Sequence, residues 1–422
     1  MFMFKVHKIL IMRAIGLFFI FFAFILSGVF SQKKVGKDYL KKYYSVAKGL
    51  SQSEVTSIIQ DKYGFIWMGT RGGLNRFDGY DFLRFKPERG TEKGLSNPSI
   101  ESLYSDNEGN IWIGTKSGGV GVYDIHRNKF VEKDSVLNQL PNRILTFFED
   151  RAGNYWIGTW DDGVYKYDPG KGSLKRYIDD ERVGSILQTQ DGTLWFGTSF
   201  GLRYKKPGQE QIENIILKPG FFEVTEMLEN PEDSSLWVVG WEVGLRKFNY
   251  NTFKHEVYDF SGVDTQKLNC YSIEKDRKGR LWVGTWGSGL FCREKESDKF
   301  KKVLPVDGEG YNNERELHII LDILEDNSGD IWIGADGGGV VKLSSERKFN
   351  TLLSGNLEGV GPWHVNAVET ASDGKLWIGT RTNGLYVSKE KDSFEFVGLA
   401  EENPRYGSKN FMVKSLYEDN NG

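Results

Sequence analysis

Apolar and polar residues alternate in short stretches along most of this chain, as in residues 55–60, which read VTSIIQ. Successive side chains of a β-strand point to opposite faces, so this period of two predicts strands. Glycine is frequent, with 50 of 422 residues, and proline is rare, with 10. The composition favours many short strands joined by tight turns over helices or disorder.

A phrase centred on tryptophan repeats along the chain. It reads apolar-Trp-apolar-Gly-Thr, with close variants, and recurs at intervals of 39 to 50 residues. Its tryptophans are Trp67, Trp112, Trp156, Trp195, Trp237, Trp282, Trp332 and Trp377. A ninth copy starts at Phe411 and runs to the last residue. This spacing, with two-fold alternation and frequent glycine, is typical of propeller blades of about 40–45 residues.

Each copy predicts four strands. A turn that opens with Asp and closes with Gly joins the first strand to the tryptophan strand, as in residues 61–64 and 326–329. Asp accepts backbone N–H groups in such a turn, and Gly supplies the positive φ that ends it. A glycine also precedes the third strand in every copy. These glycines are Gly73, Gly119, Gly163, Gly201, Gly244, Gly289, Gly339 and Gly384.

The repeats predict a ring of sheets. One four-stranded sheet cannot bury both its faces, but sheets packed side by side around an axis can, with each Trp anchoring a blade. Residues 41–46 look like a fourth strand without its own first three, so we expect them to complete the seventh blade. The predicted fold is all-β: a β-propeller of four-stranded antiparallel blades, one complete seven-bladed propeller plus the start of a second. A single eight-bladed ring is the alternative, which the incomplete ninth copy disfavours.

Residues 1–31 have the features of a signal peptide. Lys5, Lys8 and Arg13 precede an uncharged run from Ala14 to Val29, which is shorter than the roughly 20 residues of a membrane span. An uncleaved signal anchor is the alternative, and it would place the protein on the same side of the membrane. The predicted domains are therefore this signal peptide, a first propeller at 32–347 and the beginning of a second, truncated propeller at 348–422.

Export places the two cysteines in an oxidising compartment. Cys270 and Cys292 fall on the first and third strands of one repeat, about 9–10 Å apart, whereas a disulfide needs Cα atoms within about 7 Å. We therefore expect two free, buried thiols. The net charge of −3, from 55 basic and 58 acidic residues without blocks of like charge, indicates no nucleic-acid partner.

Two stretches show a family resemblance most clearly: residues 64–79, GFIWMGTRGGLNRFDG, and residues 281–290, LWVGTWGSGL. They resemble the two-component regulator propeller repeat of periplasmic sensors of hybrid two-component systems in Bacteroidetes. The resemblance extends from residue 41 to the end of the chain. The fourth copy departs from the pattern by opening its turn with Thr189, and the fifth by having Val239 and Gly240 in place of Gly-Thr.

The resemblance implies the extracytoplasmic ligand-sensing domain of a sensor histidine kinase that detects a glycan or oligosaccharide. It also implies a receptor that is anchored in the inner membrane by a later span and acts as a homodimer, with the kinase region outside this chain. We accordingly expect a periplasmic protein without a cofactor, whose only membrane contact within this chain is the signal segment.

The residue after each Gly-Thr phrase is the candidate ligand contact. The loop between the second and third strands shares an end of the propeller with the loop that leads into the first strand, near the axis. The candidate residues are Arg71, Lys116, Trp160, Trp241, Trp286, Asp336 and Arg381, with Ser199 at the same position of the fourth copy. Tryptophans beside charged groups suit sugars, because sugars stack through apolar faces and bond through hydroxyls. The alternative is that these tryptophans only cover the blade junctions.

Other function classes fit the sequence less well. Histidines fall singly in different repeats, as His126, His255 and His318 do, so we expect no metal site. The repeated Asp turns indicate capping, and no cluster of catalytic residue types stands out, so we expect no enzyme. The remaining alternative is a propeller scaffold for protein–protein interaction or receptor dimerisation.

Overall fold

The computed structural model describes residues 39–87, 94–215, 222–258, 260, 269–297, 299–303, 317–344, 365–381, 384–390, 393–397 and 412–419. The predicted signal segment, residues 1–31, lies outside the described residues. The described chain forms two compact units, which divide between Glu346 and Arg347. Three short 3₁₀ turns occur among the described residues, at Val46–Lys48, Ser135–Gln139 and Pro231–Asp233.

The regular structure of the described residues consists of four-stranded antiparallel sheets, as predicted. The first described strand is β1 (Leu40–Tyr44). Blade 1 contains β2 (Val55–Gln60), β3 (Ile66–Thr70), β4 (Gly73–Phe77) and β5 (Phe82–Phe85); blade 2 contains β6 (Ile100–Ser105), β7 (Ile111–Thr115), β8 (Val120–Asp124) and β9 (Lys129–Phe130); blade 3 contains β10 (Ile144–Glu149), β11 (Tyr155–Thr159), β12 (Val164–Asp168) and β13 (Ser173–Ile178). Blade 4 contains β14 (Val183–Gln188), β15 (Leu194–Thr198), β16 (Gly201–Lys205) and β17 (Glu213–Ile215); blade 5 contains β18 (Glu223–Asn230), β19 (Ser235–Trp241), β20 (Gly244–Asn249) and β21 (His255–Tyr258). Blade 6 contains β22 (Cys270–Lys275), β23 (Leu281–Thr285), β24 (Leu290–Arg293) and β25 (Lys301–Val303); blade 7 contains β26 (Ile320–Glu325), β27 (Ile331–Ala335) and β28 (Gly339–Ser344), with β1 as its fourth strand.

The N-terminal strand closes the first ring. Strand β1 pairs antiparallel with β28 from Leu40↔Ser344 to Tyr44↔Val340, so a strand from the start of the chain completes blade 7. The first strands of successive blades pack side by side, and β26 of blade 7 packs against β2 of blade 1. The predicted seven-bladed closure is therefore present, and the eight-bladed alternative does not describe this ring.

The tryptophans of the repeated phrase lie in the interfaces between blades. Trp67 of blade 1, for example, is fully buried against Leu74 of its own blade and Ile100 and Ile111 of blade 2. Full burial of an aromatic side chain removes about 150–250 Å² from water. The glycine of the phrase permits the close packing, since a β-carbon at Gly158 would lie 2.5 Å from the carbonyl oxygen of Val183 in the next blade.

The turn aspartates do more than cap their turns. In blade 1, Asp61 accepts hydrogen bonds from the backbone N–H of Tyr63 and Phe65 at 2.9 and 3.0 Å, and from Trp67 Nε1 at 2.7 Å. The same Asp-to-indole bond, six residues apart, recurs at Trp112, Trp156, Trp282 and Trp332. In blade 4, Thr189 Oγ1 accepts from Trp195 Nε1 at 3.2 Å. The turn thus fixes the indole in the blade interface.

A second set of hydrogen bonds links five of the seven turns to the next blade. The acceptor is a residue at the end of the neighbouring first strand, such as Glu149 Oε2, which takes a bond of 2.9 Å from the backbone N–H of Asn107. Gln60, Gln188, Glu229 and Glu325 accept equivalent bonds at their own junctions. These bonds satisfy turn N–H groups and fix the spacing of the blades at that end of the ring.

Two local expectations from the sequence also hold. Cys270 and Cys292 are free and buried on β22 and β24. The irregular fifth copy replaces the Asp…Gly turn with the 3₁₀ turn Pro231–Asp233, followed by Ser234 at a φ of 55°. The departure therefore changes the turn and leaves the blade intact.

Within the described residues, the second unit forms one further blade. It consists of β29 (Val365–Thr370), β30 (Leu376–Thr380), β31 (Leu385–Glu390) and β32 (Ser393–Val397). Residues 412–419 lie against it, with Val413 N donating to Thr380 O at 2.9 Å and Ser372 N donating to Glu418 Oε2 at 2.7 Å. The latter bond is the same turn-to-next-blade bond as in the first ring, so residues 412–419 take the place of the next first strand. The start of the ninth copy, Phe411, lies outside the described residues.

Candidate functional site

The candidate residues of the first ring lie at one of its axial ends. In six of the seven blades, the residue after the Gly-Thr phrase donates its backbone N–H to the carbonyl of the residue just before the first strand of its own blade. The bonds are Arg71–Glu54 (3.4 Å), Lys116–Ser99 (2.9 Å), Trp160–Arg143 (3.2 Å), Ser199–Arg182 (3.0 Å), Trp286–Asn269 (2.8 Å) and Asp336–Ile319 (3.1 Å). We call the end formed by these two sets of residues the loop end, and the opposite end, which carries the Asp turns, the turn end.

Trp160 is enclosed by two arginines. The guanidinium carbon of Arg143 lies 3.3 Å from the centre of the indole ring, and that of Arg182 lies 3.2 Å from it. Both distances match the spacing between two stacked planar groups, so each guanidinium lies directly over the indole ring. Two groups cannot occupy one position, and hence they cover opposite faces. Trp160 therefore has no open face on which a sugar could stack, and its predicted role as a ligand platform does not fit this geometry.

The arginines belong to a half-buried network of ion pairs. Arg143 Nε donates to Glu101 Oε1 at 3.0 Å, and Arg71 Nη1 lies 2.8 Å from the same oxygen. Arg71 Nε also donates to Glu54 at 2.7 Å. Burial alone would lower the pKa of Arg71, but the two carboxylates outweigh it and raise that pKa. Such charge-assisted bonds hold guanidinium groups in fixed orientations.

Tyr271 of blade 6 joins this network across the axis. Burial raises the pKa of its phenol to about 12, with further increases from Glu223 and Glu101 and opposite contributions from Arg71 and Arg182. Glu101 belongs to blade 2 and Arg71 to blade 1, so groups from both sides of the ring act on one hydroxyl. The phenol stays protonated at neutral pH and can donate a hydrogen bond.

An aromatic group stands beside Tyr271. The rings of Trp241 and Trp286 lie 5.0 Å apart with planes tilted by 53°, and Tyr271 and Trp286 lie 5.8 Å apart. Trp286 is 38% exposed, whereas Trp241 is half-buried. Trp286 therefore presents an accessible indole surface next to the polar network. Phe200 in the corresponding loop of blade 4 is 54% exposed.

The remaining predicted residues are placed differently. Asp336 is half-buried, and burial raises its pKa, as does Glu54, while Arg71 lowers it. Lys116 is exposed, and its side chain makes no hydrogen bond or ion pair to the described residues. Arg381 is exposed and belongs to the second unit, so it is not part of the loop end of the first ring.

Several residues of the site were missed by the sequence reasoning. Glu54, Arg143, Arg182 and Glu223 stand at the start of the first strands, and Glu101 stands one residue inside. The signal was a charged residue next to the first apolar residue of a repeat. The same reasoning that placed the Gly-Thr loops at the loop end could have placed these residues beside them.

The described chain offers no sign of metal chemistry or of a membrane span. No group of three or more His, Cys, Asp and Glu side chains is arranged to hold a metal ion among the described residues. Within the same residues, no helix has the length and apolar character needed to cross a membrane.

The first ring defines this molecule as a β-propeller built from tryptophan-marked repeats. Residues 49–72, 94–117, 138–161, 177–200 and 267–287 match the two component regulator propeller family. Five repeats of the first ring therefore match the model of this family. Each matched segment covers a first strand, a second strand and the loop-end residue after Gly-Thr, and so includes the candidate position.

A curated relative supports the same family. Histidine kinase P4 of Formosa agariphila is 45% identical over 83 residues, which cover 19% of this chain and 6% of that protein. The chain thus corresponds to a small part of a much longer relative.

Solved structures with a similar fold include two extracellular domains of putative hybrid two component systems from B. thetaiotaomicron. One is 24% identical with a TM-score of 0.63, covering 85% of this chain and 49% of that one; the other is 20% identical with a TM-score of 0.61, covering 91% and 50%. Virginiamycin B lyase from Staphylococcus aureus is 12% identical with a TM-score of 0.56, covering 72% and 98%. At these identities the likeness shows the fold alone. The chain spans about half the length of the two sensor structures.

Proposed function

We propose that this chain is the extracytoplasmic sensing part of a two-component sensor histidine kinase, exported to the periplasm, and that it binds an oligosaccharide at the loop end of the first ring. The chain itself performs no catalysis and uses no cofactor in this proposal. Support comes from the family of the repeats and from the names of the similar proteins, one a histidine kinase and two extracellular sensor domains.

The observation that carries the ligand proposal is the exposed indole of Trp286 beside a fixed polar network. Stacking on an indole needs an accessible ring, and Trp286 supplies one. Hydroxyl recognition needs oriented donors and acceptors, and Arg71, Glu101 and Tyr271 supply both. A sugar ring has an apolar face and many hydroxyl groups, and the exposed indole beside polar side chains fits both.

The proposal is tested by ligand screening followed by calorimetry. A panel of defined oligosaccharides is first screened by thermal shift, where a ligand at a hundredfold excess over its Kd stabilises the fold by about 2.7 kcal/mol. Binding of the active saccharide is then measured for the wild type and for Trp286→Ala and Trp241→Ala. Loss of a stacking partner worth about 1.4 kcal/mol weakens binding about tenfold.

The control is Tyr80→Ala. Tyr80 is 91% exposed and lies in the turn between β4 and β5, at the turn end. The Tyr80→Ala substitution removes an exposed aromatic ring far from the proposed site, so the Kd for the saccharide should stay at the wild-type value. Equal affinities for the wild type and both tryptophan variants, with unchanged circular dichroism, would contradict a site at the loop end.

A protein-contact surface is the second candidate, and the exposed Phe200 favours it. Phe200 and Trp286 lie at the same end of the ring, on blades 4 and 6, and exposed aromatic residues are enriched at protein interfaces. A role as a protein-contact surface predicts no thermal shift with any saccharide. It also predicts a concentration-dependent increase in mass by light scattering that Phe200→Ser abolishes.

A further inference from the structure

One position in the first ring carries a small hydroxyl residue in most blades and a carboxyl group in two. It is the residue that follows the irregularity in each first strand. The residues are Ser57, Ser102, Thr146, Ser185, Glu226, Ser272 and Asp322 for blades 1 to 7. First strands surround the axis of a propeller, so these residues form one layer around it.

Four of the seven residues in this layer connect neighbouring blades. Ser57 Oγ accepts from the backbone N–H of Leu103 at 3.2 Å, which joins blade 1 to blade 2. Ser185 Oγ accepts in the same way from Met227 N at 3.1 Å, joining blade 4 to blade 5. A serine hydroxyl therefore suffices for this structural bond.

Glu226 and Asp322 make the same bond with a carboxyl group. Glu226 Oε2 accepts from Ile273 N at 2.8 Å and joins blade 5 to blade 6. Asp322 Oδ2 accepts from Ile58 N at 2.6 Å and joins blade 7 to blade 1, where the ring closes. These two carboxyls place an ionisable group at a position where the other five blades have Ser or Thr.

The surroundings of these carboxyls contain other acids. Burial raises the pKa of Glu226 well above its usual range, and Asp322 and Glu274 raise it further. Burial raises the pKa of Asp322 to about 7, although hydrogen bonds from Ile58, Ile323 and Ser57 partly offset the effect. Glu274 accepts from Glu325 N, and burial raises its pKa to about 8, with Asp322, Glu325 and Asp276 adding to the increase. The charged groups that act on the three carboxyls are all acidic.

We propose that Glu226 and Asp322, with Glu274 beside them, form a proton-binding site near the axis that makes the closure of the first ring dependent on external pH. Protonation removes the repulsion between carboxylates in a half-buried layer, and the carbonyl oxygen of each neutral acid still accepts the N–H of the next blade. Deprotonation places two or three negative charges close together without a counterion and weakens the junctions between blades 5, 6, 7 and 1.

The sign of the effect follows from linkage. A carboxyl whose pKa is higher in the folded than in the unfolded chain binds more protons when folded. The stabilisation is complete below the unfolded pKa of about 4 and is lost as the pH rises through the folded value of about 7. The ring is therefore most resistant to unfolding in mild acid. In the proposed periplasmic location, the ring meets the pH of the surroundings.

The test replaces each acid with the residue that other blades use. Unfolding by urea is followed by tryptophan fluorescence between about pH 5 and about pH 8 for the wild type, Glu226→Ser, Asp322→Ser and the double variant. The urea midpoint of the wild type should fall as the pH rises. The midpoint of the double variant should stay nearly level, because serine binds no proton in this range.

Controls separate this site from general charge effects. Glu132→Ser and Asp81→Ser remove two exposed carboxyls and should leave the slope of midpoint against pH as in the wild type. If a serine variant does not fold, Glu226→Gln and Asp322→Asn keep an acceptor oxygen and give the same readout. Parallel slopes for the wild type and the variants lacking both acids would overturn the proposal, as would a wild-type midpoint that rises with pH.

Discussion

Replacement of Asp150 by alanine should destabilise the first ring strongly. The Asp150 carboxylate accepts from Trp156 Nε1 at 2.8 Å and from the backbone N–H groups of Ala152 and Asn154 at 3.0 Å each. Trp156 is 1% exposed and Asn154 is 8% exposed, whereas Ala152 is exposed. Water can therefore replace the acceptor at Ala152 but not at the other two groups.

Asp150 also accepts from the buried side-chain Nδ2 of Asn154 at 3.0 Å, so the two orphaned donors above set a lower limit on the magnitude. A buried donor left without a partner costs about 1–3 kcal/mol, so Asp150→Ala should lower the free energy of unfolding by about 2–6 kcal/mol. Urea unfolding followed by tryptophan fluorescence and by far-ultraviolet circular dichroism measures the change. The two probes also report whether the unfolding remains a single transition.

Two matched variants sharpen the test. Asp168→Ala removes a turn aspartate of the same blade that accepts from the exposed Lys171, and surface changes of this kind cost within about 0.5 kcal/mol. Asp150→Thr installs the residue that blade 4 uses at Thr189, so it should recover part of the loss. A cost below about 0.5 kcal/mol for Asp150→Ala would refute the view that the aspartate fixes the indole in the blade interface.

Three other outcomes are expected. Gly163→Ala should destabilise far more than Gly153→Ala in thermal unfolding, because both have φ near +75° but only at Gly163 would a β-carbon overlap a backbone carbonyl oxygen; equal losses would contradict this. The Cys292 thiol, whose pKa burial raises to about 12, should not react with a thiol reagent at pH 8 until the chain is unfolded, and fast reaction of the native protein would contradict its burial. A double-mutant cycle of Trp160→Leu and Arg182→Gln, measured by urea unfolding, should give a coupling free energy of about 0.5–2 kcal/mol. A coupling free energy near zero would contradict the stacked contact between the two side chains.

The main features of the fold could be predicted because each repeat carries its own local rules. Alternation, the Asp…Gly turn and the glycine before the third strand fix four strands per copy, and the tryptophan fixes which face is buried. Ring closure could also be predicted, since residues 41–46 match a fourth strand without partners. The Asp-to-Trp bond was available as a constant spacing of six residues, but its geometry appears only when the turn is built.

The candidate site was harder to predict because it arises from side chains of different blades. The sequence placed Trp160 and Trp286 at equivalent positions and predicted the same role for both. Their surroundings differ: arginines from the starts of two first strands cover Trp160, whereas Trp286 packs against Tyr271 and keeps an exposed surface. Which face of an aromatic ring stays open depends on neighbours 15 to 22 residues away in the chain. No local pattern contains that information.

The pairing of β1 with β28 has a consequence for how the protein is made. Leu40 and Ser344 meet as partners although they are separated by most of the first unit, so during synthesis the earliest strand must wait for the seventh repeat to leave the ribosome. Contacts that span such a length form slowly, because a large loop has to close first. Until then the partner edge of β28 and the strand itself are both unpaired and open to other chains. A cell that exports this propeller therefore gains from holdase chaperones that shield the nascent termini until the circle is complete.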